Sequence, residues 1–259
     1  MKIPIYQIDA FTVQVFSGNP AAVCPLVEWL PEPTMQGIVA ENNLSETAFF
    51  VKKGDNYELR WFTPTSEVDL CGHATLASAY LILTKLEPTK SAVRFQTKSG
   101  DLTVTREGKL LALDFPTQPA STCQPPFELL SGLGVQPEEV LKAREYLVLL
   151  VTEDAVKNLK PDFSELSRLD QASVIITAPG REVDFVSRFF APGFGIPEDP
   201  VTGWAHCTLI PFWSKRLNKT KLVARQVSAR GGELFCEDKG ERVKIAGKAV
   251  LYLEGEITI

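Results

Sequence analysis

The chain has 259 residues, of which 44% are hydrophobic and 23% charged, with a net charge of −5. That is a globular composition, long enough for one large domain or two ordinary ones. The acidic balance argues against nucleic acid as a partner, because phosphate contacts need a basic surface.

In chain order, apolar alternation predicts strands over 3–9, 21–27, 47–52 and 57–62, with a helix over 33–42 that sets Met35, Ile38 and Val39 at helical spacing. Residues 72–83 are apolar nearly all round, which predicts a helix buried on every side. Three strands follow, separated by Ser99-Gly100-Asp101 and Glu107-Gly108-Lys109, a hairpin pattern. Pro116 to Pro126 is rich in Pro, Ser, Thr and Gln and reads as a crossover. Residues 127–170 read as inserted helices around one apolar strand over 146–151. The plan then returns, with strands over 173–177 and 183–190, a second apolar helix over 203–215, and a closing meander.

The return is also written in residues. Arg60-Trp61-Phe62-Thr63-Pro64 is echoed by Arg188-Phe189-Phe190-Ala191-Pro192. Gly72-x-Ala74 is echoed by Gly203-x-Ala205, and Gln96 by Gln226. The spacing is about half the chain, too long for a solenoid. It predicts two copies of one α/β unit, a first lobe over 1–115 with a C-terminal strand over 249–259, and a second over 116–248. Facing copies would form a cleft, where small ligands tend to bind.

No window approaches roughly 18 uninterrupted apolar residues, so no membrane span is expected. The N-terminus lacks the apolar core of a signal peptide. Five cysteines are an odd and sparse set for a disulfide framework, and a reducing cytoplasm is the simplest reading.

Each apolar helix is preceded by a loop with glycine at its mouth, Cys71-Gly72-His73 and Thr202-Gly203-Trp204. First-turn amides carry free N–H groups and partial positive charge, which suits a carboxylate, and glycine lets a ligand come close. The bland reading is a tight strand-to-helix turn. Glu46 stands at the mouth of an apolar strand, which suits a general base; a solvated strand-end carboxylate is the alternative. The only two histidines, His73 and His206, lie in the first turns of the two helices. Asp199 is a helix cap or a second acid. Cys71, His73, His206 and Cys207 do not have the spacing of a structural zinc site, and no metal is expected. Dinucleotide, phosphate-loop and nucleophile-elbow motifs are absent, so no organic cofactor is indicated.

Four segments together resemble a known family: Gly18-Asn19-Pro20-Ala21-Ala22-Val23 after Asp9-Ala10-Phe11-Thr12, then Leu44-Ser45-Glu46-Thr47-Ala48-Phe49, then Cys71-Gly72-His73-Ala74-Thr75, then Glu198-Asp199-Pro200-Val201-Thr202-Gly203. In this order the chain resembles the phenazine-biosynthesis PhzF-like proteins, of the diaminopimelate-epimerase fold superfamily. The resemblance implies an α/β fold of two pseudo-symmetric domains, each a curled, mostly antiparallel sheet around a central helix. It implies a cofactor-independent isomerase that moves a proton on a small carboxylate-bearing metabolite. By the resemblance Glu46 shuttles the proton, while His73 and Asp199 assist protonation and bind substrate. Asn19, Ser45, Gly72, Thr202, Gly203 and Trp204 are the implied substrate contacts, and a homodimer is the implied assembly. The chain departs from the family at Trp204, where a small polar residue is usual. This keeps a second reading open, an inactive duplicated domain that binds a metabolite or protein partner, with Trp204 filling the pocket.

Overall fold

The computed structural model describes residues 1–259. The chain divides into two compact units, one of Met1–Asp114 with Ala246–Ile259, the other of Phe115–Ile245. No helix is long and apolar enough to cross a membrane.

In the first unit the strand Lys2–Ala10 pairs antiparallel with Ala249–Thr258 on one side and with Asn19–Leu26 on the other. Asn19–Leu26 runs parallel to Glu46–Lys53, so the chain must cross over, and the helix Glu32–Asn42 makes the crossing. Two sequence signals bound that helix, prolines at its start and Asn43 at its end, which takes the left-handed conformation (φ 47°) and donates its N–H to Val39 O. Its inner face puts Met35, Ile38 and Val39 against Ile3, Cys24, Phe49 and Phe62. A second parallel crossing, from Asn56–Phe62 to Ala92–Thr97, is made by the helix Gly72–Leu81. Every residue of that helix except Tyr80 is buried. Small side chains allow this close enclosure, and the hydroxyls of Thr75 and Ser78 return to the carbonyls of Cys71 and Ala74, leaving no hydroxyl donor stranded. The expected helix over 72–83 stops at Leu81, and a π turn continues over Ile82–Leu86, with Glu87 N–H reaching back to Ile82 O at 2.7 Å.

In the second unit Tyr146–Leu149 is antiparallel to Glu139–Lys142 and parallel to Val174–Pro179. Phe185–Ala191 then runs parallel to Lys221–Gln226, and the helix His206–Leu217 makes the crossing. That helix was expected from residue 203. It begins three residues later, because the first bonds, His206 N–H to Gly203 O and Cys207 N–H to Trp204 O, are three-residue closures that wind Gly203–Ala205 into a tight turn. Pro211 sits inside the helix and removes one donor; the Cys207 carbonyl accepts Gln118 N–H instead, at 2.9 Å. Leu129, Leu133, Val148, Val156, Ile176 and Phe190 are among the side chains that form this unit's core.

The repeated arginines do the same work in each unit. Arg60 Nε and Nη2 donate to Glu67 Oε1 and Oε2 at 2.7 and 2.8 Å. Arg188 Nε and Nη2 donate to Glu198 Oε1 and Oε2 at 2.7 and 2.8 Å. Each guanidinium also lies over a ring two residues on, Phe62 at 5.2 Å and Phe190 at 4.8 Å. Such forked pairs are directional, so each strut fixes the short strand that leads into the loop carrying candidate site residues.

One backbone position in the first unit leaves no room for a side chain. Gly18 has φ +67°, and a Cβ there would lie 2.2 Å from Ala10 O. Gly18→Ala therefore combines left-handed strain with a clash against backbone, and we expect it to cost roughly 3 kcal/mol in urea unfolding. A loss below about 1 kcal/mol would mean that the turn yields easily.

Candidate functional site

In the first unit four predicted positions converge through strand register. Glu46 opens its strand opposite Ala21 of the neighbouring parallel strand, two residues beyond Asn19. The helix that starts at Gly72 packs on these strand ends and presents His73 to both. Asn19 is fully buried, and its Nδ2 lies 3.2 Å from His73 Nδ1. Cys71 Sγ approaches the same ring nitrogen at 3.5 Å. On the opposite edge of the ring, His73 Nε2 is 3.2 Å from Glu46 Oε2, with side-chain exposures of 6% and 15%. These two atoms are close but not aligned as a hydrogen bond, and neither has another partner. Both therefore retain capacity for a third group. Ser45 precedes Glu46 and is half-buried, and Gly72 is buried at the helix start.

The electrostatics follow from this packing. Burial weighs against charge on His73, while Cys71 and Glu46 favour it, and the net direction is well above the ordinary imidazole value. Burial and the Glu46 carboxylate push the Cys71 thiol up in turn. The ligand atoms of Glu46, Cys71 and His73 all lie within 4.8 Å of one another. The thiol faces Nδ1 and the carboxylate faces Nε2, so the ring turns a different nitrogen to each.

In the second unit Asp199 ends the strand Ile196–Asp199 and is half-buried. Thr202 Oγ1 donates to Asp199 Oδ2. Gln226, fully buried, braces the loop from below: its Oε1 accepts Thr202 N–H at 2.9 Å and its Nε2 donates to Asp199 O at 2.7 Å. Ser228 Oγ adds a bond to Pro200 O at 2.7 Å. The sequence marked Gln226 only as part of the repeat and did not reveal it as a brace. Gly203 is buried in the turn before the helix.

Trp204 is half-buried, and its Nε1–H donates to Glu145 Oε1 at 2.6 Å. Glu145, 2% exposed, was not singled out in the sequence, and burial pushes its carboxyl up. The second histidine is unlike the first. His206 Nδ1–H donates to Thr202 O at 2.8 Å, Nε2 is buried without a partner, and burial lowers the ring to about 4. His206 is thus neutral across the physiological range and serves the turn.

With this geometry in place, comparison with known proteins identifies the kin. The family model described as a phenazine biosynthesis-like protein matches residues 8–255. An uncharacterized isomerase of Pseudomonas aeruginosa is 51% identical over 257 residues, 99% of each chain. The crystal structure of a PhzF-family phenazine biosynthesis protein from Enterococcus faecalis superposes with a TM-score of 0.98 at 49% identity, over 100% of both chains. At the level of fold alone, a hydroxyproline epimerase from Agrobacterium vitis matches with a TM-score of 0.64 at 9% identity, covering 99% of this chain and 92% of that one. The fold is accordingly the α/β, diaminopimelate-epimerase-like one that the resemblance implied, and the relatives place the chain among isomerases. With nearly its whole length matched by the family model, this chain belongs to the phenazine biosynthesis-like (PhzC–PhzF) family.

Proposed function

We propose that this isomerase moves a proton within a small carboxylate-bearing metabolite, without a cofactor, and that Glu46 is the group that carries it. The observation behind this reading is the buried pair Glu46 Oε2 and His73 Nε2, close at 3.2 Å yet each without an aligned partner. A carboxylate held so has a free lone pair for a substrate C–H, and an imidazole N–H beside it to steady the charge.

The chemistry is redox-neutral. Glu46 takes a proton from a carbon next to a carboxylate or conjugated system, and the electron pair delocalises into that system. The proton then returns to a different carbon or to the other face. First-turn amides at Gly72 and His73, with Ser45, suit the substrate carboxylate and the charge that grows on it. Asp199, Thr202, Gly203 and Trp204 remain the proposed substrate contacts of the second unit, on a loop stiffened by Gln226. Asn19 contributes through His73, by holding one ring nitrogen.

The test is a panel of cyclic and unsaturated amino and carboxylic acids incubated with the wild-type protein in deuterated buffer containing chelator. A cyclic amino acid precursor of phenazines comes first. Proton NMR should show deuterium entering one carbon-bound position as isomer forms, with no cofactor added. Incorporation that appears only once a cofactor or metal is supplied would overturn the reading.

A further inference from the structure

Arg144, in the turn between Glu139–Lys142 and Tyr146–Leu149, is exposed, and its guanidinium lies 4.5 Å from the centre of the Trp204 ring. Its N–H donors have no protein partner. The indole is itself anchored, because its one N–H is committed to Glu145. Trp204 therefore offers a ligand ring surface but no hydrogen bond, whereas the guanidinium above it offers a fork. Stacking on a ring leaves the in-plane N–H edge of arginine free, and that edge matches a carboxylate in two parallel bonds.

We propose that Glu145, Trp204 and Arg144 form a carboxylate receptor, in which Glu145 fixes the indole, the indole fixes the guanidinium, and the guanidinium binds a carboxylate of the substrate. Two facts about Glu145 support this. Its Oε2 is buried without a partner, a costly arrangement for a full negative charge. Burial pushes its carboxyl up against the opposing pull of Trp204 and Arg144, which weakens it as a competitor for the guanidinium. The receptor joins the turn that carries Arg144 and Glu145 to the turn that carries Trp204. The substrate favoured is thus a compound whose carboxylate is reached by a flat cation. The inference rests on the reading of the chain as acting on carboxylates, but its test needs no turnover, so a Glu46 that moves no proton would leave it intact.

The experiment is calorimetric titration of the full chain with succinate and, separately, with inorganic phosphate, since a guanidinium accepts both. Wild type should bind succinate saturably and more tightly than phosphate. Arg144→Ala should weaken succinate at least about tenfold, and Arg144→Lys nearly as much, because an ammonium lacks the flat fork. Trp204→Phe, which keeps a ring for stacking but loses the anchor to Glu145, should fall between wild type and Arg144→Ala. Unchanged succinate affinity in Arg144→Ala would reduce the arginine to a cover for the indole and overturn the proposal. So would phosphate binding in preference to succinate, or no saturable binding to wild type. Because Arg144 is exposed, its variants should fold normally, and melting curves provide the check.

Discussion

Replacing Glu46 with glutamine is expected to stop exchange of substrate hydrogen with deuterated solvent, by roughly a thousandfold or more, while substrate affinity changes little. General base catalysis alone contributes about 10²–10⁴ in rate. A shuttle loses both halves of its task at once, because an amide neither accepts the proton nor returns it. Glutamine has nearly the same shape, so the strand start, the contact with His73 and the pairing opposite Ala21 should persist. The loss should therefore fall on kcat and spare binding. Exchange that persists in Glu46→Gln would remove the side chain from the chemistry. Loss of binding along with exchange would make it a structural support instead.

Acid should destabilise this protein through His206. Its ring is held at about 4 by burial, against about 6.5 for an unfolded histidine. Between those values the unfolded chain takes up a proton that the folded chain refuses, so stability falls as pH falls through this window. The full effect, reached below about pH 4, is on the order of 3 kcal/mol. His206→Asn keeps a donor for Thr202 O, because its amide nitrogen stands where Nδ1 does, and removes the titration. Urea unfolding of this variant should lose about 3 kcal/mol less than wild type on going from pH 7 to pH 4. Parallel pH profiles for the two proteins would refute the assignment. His73 works in the opposite direction and in another window. Its raised value gives stability that is complete below about 6.5 and is lost as pH rises through the folded value, so the two histidines can be told apart.

The helix Gly72–Leu81 was legible because its ten residues include no Asp, Glu, Lys or Arg on any face, a pattern that suits enclosure on all sides. Glu46 was legible as a candidate because one carboxylate stands before a mostly apolar strand, and the structure sets it 3.2 Å from His73. The repeat disclosed Arg60 and Arg188, but their glutamate partners lie 7 and 10 residues on, so pattern alone could not find the struts. Repetition does not carry burial with it. Gln96 and Gln226 match in sequence, yet Gln96 is exposed and Gln226 is a buried brace.

The amino-acid order by itself determined the family, the strand and helix plan, and the residue types available for proton transfer, because periodicity and motif order are local properties. Tertiary structure alone decided which nitrogen of His73 meets Glu46, why His206 stays neutral, and that Trp204 is tied to Glu145, a residue 59 positions away. The physical reason is that charge state and hydrogen-bond direction depend on whatever packs against a group, and chain closure brings those neighbours from distant positions.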